Sequence, residues 1–445
     1  MKTTLFRLAL ALFLLPSRAY AAGAVDAVAQ EATRLLGAPL KTGVVVAAPI
    51  VSDQPLAKGD ELALRLAALV AGQIGAGARA HAQATQLATA RAVAGRATAL
   101  IYVQGEIAKG DLRTTIDVYP SMANAWDRIR NPLPSPTSHA FASAKIDAEV
   151  RSFLAPLLLE QASIHKARSD EAEVLAVACG DVHGDGGAEL VVVSRDRIAV
   201  GRLRGGMFVA EQSAAWSTLA PRLPVPMREP LAGAVVVPGR IDVGSTERGG
   251  VSFAPDLASH AAILGIPAWG GDGLVCLRSE PSAGAFDGAP VDCAVSRDVK
   301  PKMAVPAPRF DTFAAASVAD VAGNVRLVVA VREPSGRVRL KAGDVSYVPE
   351  GTFGAQLAVS DLDEDGAPEI VTTVDGPDDA INILTWQPAT ADLRPRLHIP
   401  APGGVRALAA CPPEDHGRPA LVAVVGNEVW LIRAVVAQEG KAVER

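Results

Sequence analysis

The sequence predicts an α/β amino-terminal domain followed by an all-β propeller of about six blades. A chain of 445 residues is too long for one ordinary hydrophobic core, so we expect at least two domains. Helix and strand patterns alternate up to about residue 165, whereas short apolar runs separated by Gly, Pro and Asp follow it. That change of pattern predicts domains at 22–164 and 165–435, with a tail at 436–445.

The first 21 residues have the pattern of a secretory signal peptide. Basic residues precede an apolar stretch at 8–15, and Ala-Tyr-Ala at 19–21 matches a small-x-small cleavage site. The apolar stretch is too short to span a bilayer, which disfavours the alternative of a membrane anchor. We expect residues 1–21 to be removed, no transmembrane segment in the mature chain, and a periplasmic or extracellular location.

The amino-terminal patterns predict strands and helices in alternation. The run at 42–51 is continuously apolar, as in a buried strand, and helical periodicity follows at 60–77 and 83–97. Residues 98–120 predict two strands joined by a turn, and 140–162 predict a closing helix.

These patterns resemble the amino-terminal α/β domain of TolB and of the related FlgO-type envelope domains. The matching parts are the apolar first strand ending in a proline, the helix after an acidic residue, and the hairpin "ALIYVQGEI…LRTTIDVY". The resemblance covers about a third of the chain and brings no catalytic motif with it.

Repeated strand–loop–strand units follow residue 165. The units at 175–193 and 357–374 share an acidic loop, and degenerate copies occur at 314–331 and 407–425. Candidate strands at 231–243 and 272–280 lie in the long gap between the units at 175–193 and 314–331. A period of ~40–50 residues is typical of propeller blades, which gives about six; a β-sandwich or two small β domains is the alternative.

The loop "DLDEDGAPE" has the spacing of a cation site. Its pattern D-x-D-x-D-G-x-x-E offers several hard oxygens to one ion, as calcium prefers. The expected ligands are Asp361, Asp363, Asp365, the carbonyl of Ala367, and Glu369. Strands flank the loop, and Thr372 stands where an EF-hand has its last acid, so an EF-hand is excluded. A solvated acidic turn is the alternative.

The loop resembles the calcium loops of FG-GAP/VCBS repeats, the blades of integrin-type propellers. Phe353-Gly354 stands where that family has its "FG". The resemblance is specific in this unit, extends loosely over residues 165–435, and implies bound Ca²⁺.

The matching loop of the first unit departs from this pattern. Asp181, Asp185 and Glu189 remain, but His183 replaces the second aspartate. Imidazole is a poor ligand for a hard ion, so we expect weaker binding there, and none in the other loops.

Four cysteines in an exported chain favour disulfides. Cys276 and Cys293 flank a hairpin-like segment and could pair, which leaves Cys179 and Cys411. If the latter two lie in the first and last blades, ring closure makes them neighbours. Four buried free thiols are the alternative.

No catalytic motif is recognisable, and we expect a non-enzymatic binding or scaffolding module. The sequence contains no H-E-x-x-H, G-x-S-x-G or P-loop pattern. A net charge of −5 argues against nucleic-acid binding. The expected partners are envelope proteins or a glycan. The alternatives are a hydrolase on a propeller scaffold and a surface adhesin.

Overall fold

A computed structural model describes most of the chain between residues 23 and 437. The ranges are 23–37, 42–95, 99–120, 129, 134–216, 230–258, 260–279, 284–295, 299–320, 323–412 and 418–437. The expected signal peptide and nearly all of the expected tail lie outside them. The described residues divide into two compact units: one within Met1–Ala48, Leu64–Gln104 and Thr114–Ala144, the other within Pro49–Ala63, Gly105–Arg113 and Lys145–Arg445.

The amino-terminal elements include the predicted first strand, both predicted helices and the predicted hairpin. The helices are α1 (Ala24–Leu35), α2 (Gly59–Ile74) and α3 (Leu87–Ala94), and the strands are β1 (Gly43–Ala47), β2 (Val51–Ser52), β3 (Ala78–Ala80), β4 (Ala99–Ala108), β5 (Asp111–Pro120) and β6 (Ser138–Lys145). They form a sheet of order β3-β1-β4-β5-β6, in which β2 also pairs with β4. β1 is parallel to β3 and β4, and its Val46 is fully buried.

The predicted closing helix at 140–162 is wrong. That segment holds the end of β6, a single helical turn α4 (Ala148–Arg151), and the start of strand β7 (Leu157–Arg168). Asp147 caps the turn by accepting a hydrogen bond from Val150 N at 3.0 Å. Pro156 is incompatible with the interior of a helix, and pairing with distant strands then fixes β7 as extended. The expected domain boundary at 164/165 consequently falls inside β7.

The described strands between residues 174 and 436 fall into six groups in sequence order. The strands are β8 (Val174–Gly180), β9 (Glu189–Ser194), β10 (Arg197–Arg204), β11 (Met207–Ala215), β12 (Ala232–Val237), β13 (Arg240–Ser245), β14 (Gly249–Phe253), β15 (His260–Ile263), β16 (Ile266–Trp269), β17 (Leu274–Leu277), β18 (Phe286–Asp287), β19 (Arg309–Phe310), β20 (Thr312–Ala319), β21 (Val325–Arg332), β22 (Val338–Ala342), β23 (Val345–Tyr347), β24 (Leu357–Ser360), β25 (Glu369–Thr373), β26 (Ala380–Gln387), β27 (Asp392–Pro400), β28 (Val405–Cys411), β29 (Ala420–Val425) and β30 (Glu428–Val436). The third group is two separate pairs, β16-β17 and β18-β19, and the sixth takes β7 as its fourth strand.

The first strands of these groups close a ring. β8, β12, β16, β20, β24 and β28 contact one another in that order, and β28 contacts β8 again. A central cavity of about 1370 Å³ lies inside this ring. Small residues of all six strands line it: Ala178, Gly233, Ala268, Ala316, Ala358 and Ala409. In the described part of the chain this second unit is thus a propeller with six blades, as the repeat spacing predicts.

Two features join the first and the sixth blade. β7 pairs with β30 along its length and meets β11 at Arg168, so both blades share one eight-stranded sheet. Cys179 of β8 is bonded to Cys411 of β28, with a Cα–Cα distance of 5.3 Å. The pairing expected from ring closure is confirmed, as is Cys276–Cys293. Among the described helices, none combines the length and the apolar character that a membrane span requires.

Candidate metal centre

The acidic loops occupy equivalent positions in two blades. Residues 361–368 connect β24 to β25, and residues 181–188 connect β8 to β9. In each case the buried apolar strands of the blade core fix both ends of the loop. The last acid of each loop, Glu369 or Glu189, is the first residue of the second strand and is 0% exposed.

Three carboxylates of the fifth-blade loop converge on one point. One oxygen each of Asp361, Asp363 and Glu369 lies within 4.8 Å of the others. No other group of three or more His, Cys, Asp or Glu side chains in the described ranges converges in this way. The structure thus brings together three of the five ligands expected here.

Backbone amides of the loop donate hydrogen bonds to two carboxylates of this cluster. Leu362 N donates to Glu369 Oε2 at 2.7 Å, and Gly366 N donates to Asp361 Oδ2 at 3.2 Å. Gly366 has a φ of 84°, a left-handed conformation that lets the loop turn back on itself. The carboxylates are therefore fixed in position by the loop backbone.

One carboxylate oxygen in each of two of these acids has no hydrogen-bond partner. Asp361 Oδ1 and Asp363 Oδ1 are buried and accept no hydrogen bond in the structure. A buried polar atom without a partner costs ~1–3 kcal/mol, and more when the group is charged. The described residues thus leave two buried acceptor atoms of the loop unsatisfied.

Asp365 lies outside the convergent group. Ala367 N donates to its Oδ1 at 2.8 Å, and its side chain is 46% exposed. The Asp365 carboxylate and the Ala367 carbonyl stay predicted ligands.

Burial and mutual repulsion make the cluster hard to ionise. Burial, with help from Asp365 and Asp363, raises the pKa of Asp361 to about 7. Burial, with help from Asp363, raises the pKa of Glu369 to about 9, and the pKa of Asp363 is raised for similar reasons. A cation among the carboxylates would relieve both the desolvation cost and the repulsion.

This donor set fits calcium. Carboxylate and carbonyl oxygens are the ligands of hard cations, whereas structural zinc sites use Cys and His. Calcium tolerates the irregular geometry of a wrapped loop, while magnesium requires near-octahedral ligation. Asp361, Asp363 and Glu369 would hold the ion, which would supply a structural cross-link.

Two arginines at this loop are not detectable from the spacing of its acids. Arg396 of β27 donates from Nη2 to Asp363 Oδ2 at 2.9 Å and from Nε to Glu160 Oε1 at 2.5 Å. Arg151 of α4 lies 3.4 Å from Glu364. These contacts depend on which elements are neighbours in the fold. The sequence itself shows only that basic residues are present.

The first-blade loop has the same backbone but a different charge balance. Val182 N donates to Glu189 Oε2 at 2.9 Å, as Leu362 N does to Glu369. Arg202 contacts both Glu189 and Asp185 through its guanidinium. The expected ligands Asp181, Asp185 and Glu189 do not form a convergent group of the kind seen in the fifth blade.

Basic side chains also lie near the acids of the first-blade and fourth-blade loops. His183 Nδ1 is 3.5 Å from Glu189 Oε1, at the position that Asp363 holds in the fifth blade. In the fourth blade, Asp320 accepts hydrogen bonds from Asn324 N and from Arg326. Side-chain cations thus accompany the acids in these two loops.

We expect the metal-free protein to become less stable as pH rises from 6 to 8. Asp361 and Glu369 have raised pKa values in the folded state, so the folded chain binds more protons than the unfolded one above pH ~4. Stability is therefore lost as pH rises towards the folded-state pKa values. Melting temperatures of chelator-treated protein across this range should show the slope, and saturating calcium should flatten it. Equal slopes with and without calcium would contradict the assignment.

Comparison with known proteins gives structural likenesses at low scores. No protein-family model matches the sequence, and no curated protein matches it. TolB from Acinetobacter baumannii is 11% identical with a TM-score of 0.29, over 89% of this chain and 95% of that one. The WD40 repeats of RRP9 are 12% identical with a TM-score of 0.39, over 63% and 99%. A DUF4623 family protein from Bacteroides eggerthii is 9% identical with a TM-score of 0.40, over 74% and 84%. Scores this low carry no functional inference, and the propeller assignment depends on the strand order of this chain.

Proposed function

We propose that this chain is a calcium-binding propeller protein that acts as a binding or scaffolding module in the bacterial envelope. The observation that carries the proposal is the cluster of Asp361, Asp363 and Glu369, in which two buried oxygens have no partner. Their spacing and their place between the first two strands of a blade support an FG-GAP/VCBS-type loop. Asp365 and the Ala367 carbonyl would complete the ligand set.

The ion would stabilise the propeller near its closing seam. Arg396 links Asp363 of the loop to Glu160 of β7, the strand that the sixth blade takes from the amino-terminal side. Calcium would therefore fix a loop that Arg396 links to β7, the strand that helps to close the ring. This supports a structural role for the ion, with partner binding on the propeller surface.

The disulfides support this proposal. Two disulfides favour an oxidising environment such as the periplasm or the cell exterior. Together with the expected signal peptide they support periplasmic or extracellular location, with protein partners in the envelope. The elements up to β6 would correspond to the TolB-like domain, and the mild negative charge disfavours nucleic acid.

A melting experiment tests the proposal. Protein stripped with chelator should melt higher after calcium is added, and magnesium at the same concentration should have a smaller effect. Capture of envelope proteins on the immobilised chain, with and without chelator, would then show whether the calcium-loaded form selects a partner. An identical melting temperature with calcium and with chelator would refute calcium binding.

A further inference from the structure

The two acidic loops differ in the residue of the blade's third strand that faces the buried glutamate. β9 and β10 pair Leu190 with Gly201, so the next position sets Glu189 opposite Arg202. In the fifth blade the equivalent pair is Glu369 and Thr385. Each buried glutamate therefore has a side chain of the neighbouring strand facing it, cationic in one blade and a neutral hydroxyl in the other.

In the first blade the arginine satisfies the acids. Arg202 Nε donates to Glu189 Oε1 at 3.0 Å, and its Nη2 contacts both that oxygen and Asp185 Oδ2. The amides of Asp185 and Gly186 hold the two oxygens of Asp181. The Arg202 guanidinium thus binds Glu189, the glutamate that a metal ion would need as a ligand.

In the fifth blade the facing residue is short. Thr385 Oγ1 donates to Glu369 Oε1 at 2.9 Å and brings no charge. The arginine comes instead from β27, where the register shifts between Ile383 and Leu384 and leaves Arg396 as the extra residue. Such a bulge redirects a side chain, and here Arg396 reaches Asp363 Oδ2 at 2.9 Å.

Arg396 does not satisfy the whole cluster. It lies 2.9 Å from Asp363 and 4.0 Å from Asp365, and it also pairs with Glu160. Asp361 Oδ1 and Asp363 Oδ1 stay without a hydrogen-bond partner. A bound cation would neutralise the remaining negative charge of these carboxylates.

We propose that these two arginines decide the cation content of the two loops. Arg202 takes the place of calcium in the first blade and excludes the ion. Arg396 remains on Asp363 in the fifth blade and weakens binding of the ion, because a guanidinium and a divalent cation that share one carboxylate repel each other. The proposal rests on the proposed calcium binding at 361–369.

The first arm of the test is a gain of binding. Calorimetric titration of chelator-stripped protein should give one calcium ion for the wild-type chain. The double variant His183→Asp, Arg202→Thr copies the fifth-blade pattern into the first blade and should bind two. His183→Asp alone should still bind one, because Arg202 remains. A folded double variant that binds a single ion would overturn the assignment of Arg202.

The second arm measures affinity and does not depend on the first-blade variants folding. Arg396→Gln removes the competing charge and should lower the calcium dissociation constant by roughly tenfold or more. The control is Arg394→Gln, since Arg394 is on the same strand but pairs with Asp392 and is 73% exposed. An unchanged or weaker affinity in Arg396→Gln would overturn the role of Arg396.

The failures are distinguishable. A wild-type chain that binds no calcium would overturn the proposed function and this inference together. A wild-type chain that binds one ion, with no change in count or affinity in the variants, would overturn this inference alone.

Discussion

Asp363→Ala should lose most of the calcium-dependent rise in melting temperature and keep the propeller fold. The side chain of Asp363 is 2% exposed and presents an unpartnered oxygen to the cluster. Its removal takes one charged ligand from the ion but leaves the apolar blade core intact. An ion that binds only the folded state stabilises it by about 2.7 kcal/mol at a hundredfold excess over Kd. Melting curves with millimolar calcium and with chelator measure the difference.

The matched control is Asp185→Ala in the first blade. Asp185 belongs to the equivalent loop, but its carboxylate faces Arg202, so the calcium response should remain. The prediction fails if Asp363→Ala responds to calcium as fully as the wild-type chain does. It also fails if the two variants lose the response equally.

Removal of the Cys179–Cys411 disulfide should destabilise the propeller more than removal of Cys276–Cys293. The first bond joins β8 to β28 across a sequence separation of 232 residues, the second spans 17. In the chain-entropy model such bonds contribute about 5 and about 3 kcal/mol respectively. Denaturant unfolding of the two double-alanine variants, without reductant, compares them.

The pairing of β7 with β30 should keep the ring closed in the Cys179/Cys411 variant. We therefore expect a folded protein with a lower denaturation midpoint rather than an unfolded chain. Equal midpoints for the two variants would show that the long-range bond contributes no more than the short-range one, and would contradict the prediction.

The propeller is predictable because its strands carry local signals. Each blade core is a short apolar run, and turn residues separate the runs at a recurrent distance. Ring closure then makes the first and last units neighbours, which is why the Cys179–Cys411 pairing follows from the sequence. The third blade is broken into two strand pairs, and no acidic loop marks it.

The closing strand is missed because its signal is not local. Residues 140–162 have apolar positions compatible with a helix, and only Pro156 opposes it. The extended form of β7 is fixed by pairing with β30, which begins more than 250 residues later. Pattern reading assigns such a segment by propensity, and tertiary pairing overrides it.

The candidate site is likewise only partly predictable from the sequence. The spacing of its acids predicts the convergence of Asp361, Asp363 and Glu369. The facing residues Arg202 and Thr385 are set by strand register, and Arg396 is directed by a bulge. His183 therefore explains only part of the difference between the two loops, since a guanidinium also satisfies the first-blade acids.

Anomalous scattering from crystals grown with calcium, and from crystals soaked in a lanthanide, tests the central claim most directly. We predict a single strong peak within ligand distance of Asp361 Oδ1, Asp363 Oδ1 and Glu369, and none at the 181–189 loop. Well-ordered density for the 361–369 loop without a metal peak, at saturating calcium, would contradict the account.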